Sequence, residues 1–117
     1  MTTSTEIQPT DLPATIRAYL AAHTAREADV AIRTFTPDAV VLDDGHAFRG
    51  TAEVLDFLEN AGSEYTYTST LVGGERVDDA HWVAVIHIEG DFPGGVADLR
   101  YAFTLADDLI SELVIAP

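Results

Sequence analysis

Apolar positions recur with a helical period in the first half of the chain and with a strand period in the second. Leu12, Ile16, Tyr19, Leu20 and His23 stand at i, i+4, i+7, i+8 and i+11, one face of an amphipathic helix. Thr10 or Asp11 can cap it, and Pro13 is tolerated in its first turn. Tyr19 and His23 are neighbours one turn apart on the buried side. Ala28, Ala31, Ile32 and Phe35 give a second helix its inner stripe, with Thr24 and Glu27 as a capping box or Asp29 as a later cap. Phe35 closes this helix and Pro37 ends it, since the residue before a proline is pushed out of the α region. A third helix runs from about residue 51 to 61, with Val54, Leu55, Leu58 and Ala61 inward and Gly62 as its stop.

Between the second and third helices, Ala39 to Leu42 reads as a short apolar strand. Asp43, Asp44 and Gly45 make a turn, and His46 to Phe48 a second short strand. After Gly62 the period becomes two. In Glu64 to Val72, Tyr65, Tyr67, Ser69 and Leu71 point one way and Thr66, Thr68 and Thr70 the other. Gly73-Gly74 is expected to break that strand. A turn near Asp78-Asp79 leads to a strand from His81 to Glu89, a loop over residues 90–95, a strand from Asp98 to Ala106, a tight turn at Asp107-Asp108 and a last strand from Leu109 to Ile115. Three helices followed by an antiparallel meander is an α+β order. Residues 1–9 read as a flexible tail, and residues 10–117 as a single domain.

A chain of 117 residues is large enough to bury roughly two-thirds of its unfolded surface. No apolar run approaches the ~20 residues that span a bilayer, so no membrane association is expected. The first residues lack the basic start and apolar core of a signal peptide, and a cytoplasmic location is the default expectation. With no cysteine there is no disulfide and no thiolate nucleophile. Twenty acids face six arginines and no lysine, a net charge of −14. That charge repels phosphate backbones, which argues against a nucleic-acid partner.

The order of these motifs carries a resemblance. Two helices, then F-x-P-D-A-V-V-x-D, a turn, R-G-x-x-E-V and a four-strand meander recur in the nuclear transport factor 2-like superfamily, more narrowly in its SnoaL-like branch. The matching residues are Phe35, Pro37, Asp38, Ala39 to Val41, Asp43, Arg49, Gly50, Glu53 and Val54, and the likeness covers about residues 11 to 116. It implies a cone-shaped fold, three N-terminal helices packed in the concave face of a curved, mainly antiparallel sheet. The superfamily includes a steroid isomerase, polyketide cyclases, an epoxide hydrolase and non-enzymatic binding or dimerisation modules, so fold alone does not settle function. Relatives commonly pair through the outer face of the sheet, which implies a homodimer here, with Thr66, Thr68, Ala102 and Thr104 on that face.

The resemblance also implies site residues. In the steroid isomerase branch the residue ending the first strand is the general base, and the ungapped register puts Asp43 there. The same register puts Tyr19 on that branch's oxyanion-hole tyrosine. Tyr101 stands where the branch carries a second, protonated acid, a departure that argues against steroid isomerisation in particular. The plain alternative is that Asp43-Asp44-Gly45 is ordinary turn chemistry and that Tyr19 is core. Tyr19, Phe57, Tyr101 and Phe103 are expected to line a cavity of a few hundred Å³. Phe57, Trp82, His87 and Phe103 are the ligand-contact candidates. Both faces of the strand at 81–89 are apolar enough to be the inner one. The epoxide-hydrolase branch uses acids and an arginine to activate water, which draws notice to Asp98 and Arg100. Alternation puts those two on the outer surface as an ion pair instead. His46 lies beside Asp43 and Asp44, but no metal-ligand spacing surrounds it and no metal is expected.

Two functions follow. One is a small-molecule pocket enzyme of the isomerase or cyclase kind, moving protons on an apolar carbonyl compound without a cofactor. The other is a non-catalytic ligand-binding or dimerisation module. They part on whether Asp43 faces an apolar cavity or bulk water.

Overall fold

A computed structural model describes residues 4–60 and 66–117. The expected end of the third helix at Ala61-Gly62, and the start of the next strand at Glu64-Tyr65, lie outside the described residues. Helix α1 (Ala14–Thr24) buries Ile16, Tyr19, Leu20 and Ala22. It ends where Arg26 takes a left-handed conformation (φ 60°) and Glu27 N–H returns to the Ala22 carbonyl at 2.9 Å. The expected Thr24–Glu27 capping box does not form, and Glu27 caps helix α2 (Ala28–Ala31) with no side-chain bond.

Helix α2 is far shorter than its apolar stripe suggests. The Thr34 hydroxyl donates to the Ala31 carbonyl at 2.6 Å, and a 3₁₀ turn (Ile32–Thr34) carries the chain out of the helix. Phe35 is therefore not the end of a helix but the first residue of strand β2 (Phe35–Asp43), with extended backbone. Pro37 sits where the pairing of β2 with its neighbour shifts register, between Phe35 and Val40. A residue without an N–H is tolerated at such an interruption. Asp44 and Gly45, both at positive φ, turn β2 into β3 (His46–Arg49). Helix α3 (Gly50–Asn60) starts with the Glu53 carboxylate accepting from Arg49 N–H at 3.0 Å. Its buried stripe is Val54, Phe57 and Leu58, while Leu55, also expected inward, is only half-buried.

Four longer strands follow: β4 (Tyr67–Arg76), β5 (His81–Gly90), β6 (Val96–Ala106) and β7 (Leu109–Ala116). A first strand, β1 (Thr5–Ile7), pairs with β4, so part of the expected tail is sheet edge. The order is β1-β4-β5-β6-β7-β2-β3, antiparallel throughout except for the parallel pair β2 and β7. Gly73-Gly74 does not end β4. The register shifts between Leu71 and Gly73 and the pairing resumes. A Cβ on Gly74 would lie 3.3 Å from Ile7 and 3.4 Å from Leu12, so the missing side chain is what lets β1 and Leu12 lie against the strand.

The core lies between the three helices and one face of this sheet. Tyr19, Phe103, Leu12, Ile16, Ile110, Leu113, Val41 and Val54 are its largest fully buried side chains. On β5 the inner face is that of Trp82, Ala84, Ile86 and Ile88, all part of or packed on the core. On β6 it is the face of Leu99, Tyr101, Phe103 and Leu105.

Candidate functional site

Strand β2 delivers Asp43 to the sheet's inner face at its C-terminal end. Asp43 pairs with Ile115 on β7, and Ile115 pairs in turn with Tyr101 on β6. Side chains in one lateral row of a sheet share a face. All three accordingly border one cavity of about 340 Å³. Leu20, Phe57, Leu71, Ile86, Ile88 and Leu99 supply most of its apolar wall. Phe92 and Pro93, from the loop between β5 and β6, close another side.

The cavity changes the chemistry of what lines it. Burial raises the Asp43 carboxyl above the ordinary aspartate value, the Asp44 carboxylate adds to the rise, and His46 opposes it. A half-buried carboxyl with a raised pKa is a better proton acceptor than a solvated one. The Tyr101 hydroxyl is pushed up by burial first, then by Tyr67 and Asp43. It remains a neutral donor at any physiological pH. Burial also lowers His23 below the usual histidine value, with Arg26 adding to the effect, so its imidazole is uncharged near neutrality.

The structure brings together three of the residues expected from sequence: Asp43, Tyr101 and Phe57 all line the cavity. Tyr19 and Phe103 stand behind its wall, in the core. Tyr19 stacks on His23 at 5.6 Å and meets Phe35 and Phe103 edge-on at 5.4 and 5.7 Å. Its hydroxyl is fully buried and has no hydrogen-bond partner among the described residues. Burial, Tyr101, Asp43 and Tyr67 together raise its pKa, which places that hydroxyl within electrostatic reach of the cavity's polar end.

Trp82 and His87 are set apart from the cavity. Trp82 shares the inner face with Ile86 but lies four residues earlier on β5, where its Nε1–H donates to the Asp79 carbonyl at 3.2 Å and Arg76 covers its ring. His87 has the opposite parity and projects from the outer face. There Nδ1 bonds Asp98 at 2.6 Å and Nε2 bonds Glu89 at 3.2 Å. Both carboxylates raise its pKa, Asp98 more than Glu89. Asp98 and Arg100 are on the outer surface, but not as a pair. Arg100 makes two bonds to Glu75 at 2.7 and 3.1 Å, and that bidentate partner lowers the Glu75 carboxyl. Among the described residues no three His, Asp or Glu side chains converge as metal ligands would.

Several wall residues escape a reading of the sequence. His23 is the chief one, though the signal was present: it is one helical turn from Tyr19 on the same stripe. Its ring is held between Tyr19 and Phe57, the latter 6.4 Å away and almost parallel. Thr24 and Ser69 come from distant parts of the chain and face each other across 3.5 Å. No local pattern announces such a pair.

Known proteins share this fold. The model of the SnoaL-like domain family matches residues 16–113. A proposed polyketide cyclase from Sinorhizobium meliloti superposes with a TM-score of 0.85 at 31% identity, covering 94% of this chain and 100% of that one. A protein of ketosteroid isomerase-like fold from Catenulispora acidiphila, solved with trimethylamine, gives 0.77 at 14% identity, over 95% and 87% of the two chains. The Δ5-3-ketosteroid isomerase of a Mycobacterium species gives 0.70 at 16%, over 89% and 90% of the two chains. The last two likenesses show a common fold and nothing finer. No curated protein matches the chain. With the family model running from the first helix to the last strand, and a relative at 31% identity over nearly the whole of both chains, the chain belongs to the SnoaL-like domain family.

Proposed function

We propose that the cavity binds a small apolar carbonyl compound and that Asp43 moves a proton at the carbon beside the carbonyl, as an isomerase or cyclase requires. The observation that carries this reading is Asp43 itself. It is a half-buried carboxyl, its pKa raised by burial, on the wall of a mainly apolar cavity. A turn residue facing bulk water has no such environment.

The proposed chemistry uses the chain's own groups. Asp43 accepts the α-proton, and negative charge develops on the carbonyl oxygen. Tyr101, neutral and on the same wall, donates a hydrogen bond to that oxygen. The unpartnered Tyr19 hydroxyl, buried behind the wall, is the second donor in this proposal, and its reaching the oxygen requires the wall to part there when the ligand is seated. Donors aimed at developing charge in a site of low polarity are worth far more than in water. The protonated Asp43 then returns the proton to the same or a neighbouring carbon. Each step conserves protons and needs no redox partner.

Relatives support the carbonyl class. One structural neighbour is a proposed polyketide cyclase and another a ketosteroid isomerase. The test is a panel of ketosteroid-like and polyketide-like carbonyl compounds in heavy water, read by deuterium uptake at the α-carbon. Catalysed uptake by the wild type, lost in Asp43→Asn, is the expected result. Uptake that survives the substitution unchanged removes Asp43 from the mechanism.

A further inference from the structure

The cavity has a second polar region that the proposed reaction does not use. His23, Thr24 and Ser69 all border it. Helix α1 contributes the first two from its last turn, and β4 contributes the third. The His23 ring lies between Tyr19 and Phe57, so its plane is fixed and its nitrogen edge is its only free polar feature. Neither ring nitrogen is bonded to any described residue, although the side chain is half-buried. The Thr24 and Ser69 hydroxyls sit 3.5 Å apart, at the outer limit of a hydrogen bond. Each retains capacity for a further partner.

The sheet register separates this region from Asp43. Ser69 pairs with Ile88 on β5, and Ile88 with Ala97 on β6. Asp43 belongs to the row of Ile115 and Tyr101. From Ala97 to Tyr101 along β6 is four residues, or about 13 Å at ~3.3 Å per residue. Leu71, Ile86, Ile88 and Leu99 lie on the wall between or beside these rows. The cavity is thus apolar in its middle and polar at two places.

We infer that His23, Thr24 and Ser69 form a second anchor, so that the preferred ligand is an elongated apolar molecule with a neutral hydroxyl or carbonyl group at each end. An uncharged imidazole and two hydroxyls offer both donors and acceptors, which suits such a group. This rests on the reading of the cavity as a binding site, and it adds the ligand's second polar end.

The probes are 4-phenylphenol, with one hydroxyl, and 4,4′-dihydroxybiphenyl, with one at each end, titrated by fluorescence against the wild-type protein. A second hydroxyl pressed onto an apolar wall loses its water and weakens binding. A second hydroxyl that meets the anchor should strengthen binding about five-fold, the scale of one hydrogen bond, beyond the roughly two-fold gained from the diol's symmetry. His23→Phe keeps the aromatic stack and removes both nitrogens. The pair Thr24→Val with Ser69→Ala removes the hydroxyls with little change of shape. Each should reduce the ratio of the two affinities towards the symmetry factor. A wild-type ratio no greater than the symmetry factor, or a larger ratio that persists in both anchor variants, overturns the second anchor and leaves the binding site standing. If neither probe binds, the cavity reading falls and the anchor with it.

Discussion

Asp43 and Tyr101 flank Ile115 from opposite sides on one row of the sheet, and both face the same cavity. Two strand spacings put their backbones about 10 Å apart. In the proposed reaction a flat carbonyl compound lies over this row with its acidic carbon towards Asp43 and its oxygen towards Tyr101. Burial, then Tyr67 and last Asp43 raise the pKa of Tyr101, so its hydroxyl stays protonated and can donate.

Tyr101→Phe should therefore lower any proton-transfer rate by about 10²–10³, the scale seen when one oxyanion donor is lost. Substrate affinity should change far less. Tyr19→Phe separates function from packing. It deletes a buried hydroxyl without a partner, so the free protein should gain about 1 kcal/mol, or roughly 4 °C in melting temperature. If Tyr19 is the second donor, the rate should fall as stability rises. A higher melting temperature with an unchanged rate would make Tyr19 a core residue only.

Asp43 should leave a mark on stability as well. Its folded pKa is raised above its unfolded value. Between the two values the folded state holds more protons, so stability falls as pH rises through that window. Wild-type Asp43 is thus a mild liability at neutral pH and none at low pH. Asp43→Asn should melt higher than the wild type at pH 7, and the difference should vanish below about pH 4, where both states are protonated. Paired thermal melts across this range check the sign.

Gly73 and Gly74 should differ sharply. An added Cβ at Gly73 meets Val85 at an ordinary 3.7 Å, whereas at Gly74 it crowds Ile7 and Leu12 at 3.3 and 3.4 Å. Gly74→Val should cost on the order of 1–3 kcal/mol by overpacking. Gly73→Ala should be close to neutral, and urea denaturation of both variants distinguishes them.

The outer face of β4 to β7 is where a two-fold dimer is proposed. Val83, Ala102 and Val114 lie side by side there, with the pairs Arg100–Glu75 and His87–Asp98 nearby. Val72, 54% exposed, adds apolar surface towards one edge. Each subunit carries −14, so added salt should strengthen association by screening. Light scattering at tens of micromolar protein should show a dimer whose population grows with salt. Monomer at every salt concentration would dismiss it.

Much of this could be read from the sequence because period and turn chemistry are local. Asp44-Gly45 and Asp107-Asp108 announce tight turns, and both pairs adopt the positive φ such turns need. The stripe of α1 and the alternation of β6 named their buried faces in advance. What local pattern missed was decided by contacts across the fold. Phe35 continues the apolar period of α2, yet Thr34 closes that helix by bonding Ala31, and β7 takes Phe35 into the sheet. Gly73-Gly74 looks like a strand breaker, yet Ile7 and Leu12 need its bare backbone. The two faces of β5 are equally apolar, and only the helices settle which is inner. Of the site, Asp43, Tyr101 and Phe57 were legible. Trp82 and His87 were displaced by position and parity along β5, and the Thr24–Ser69 contact joins residues too far apart in sequence to be foreseen.

The central claim is that Asp43 is a base in an apolar cavity, and the pH dependence of α-carbon deuterium exchange tests it most directly. With a responsive carbonyl compound, the wild-type rate should rise with pH through a limb above the ~3.9 of a free aspartate and then level off. Asp43→Asn should lose that limb and at least about 10²-fold of the rate, while still binding the compound. A limb and a rate that remain in Asp43→Asn would contradict the account.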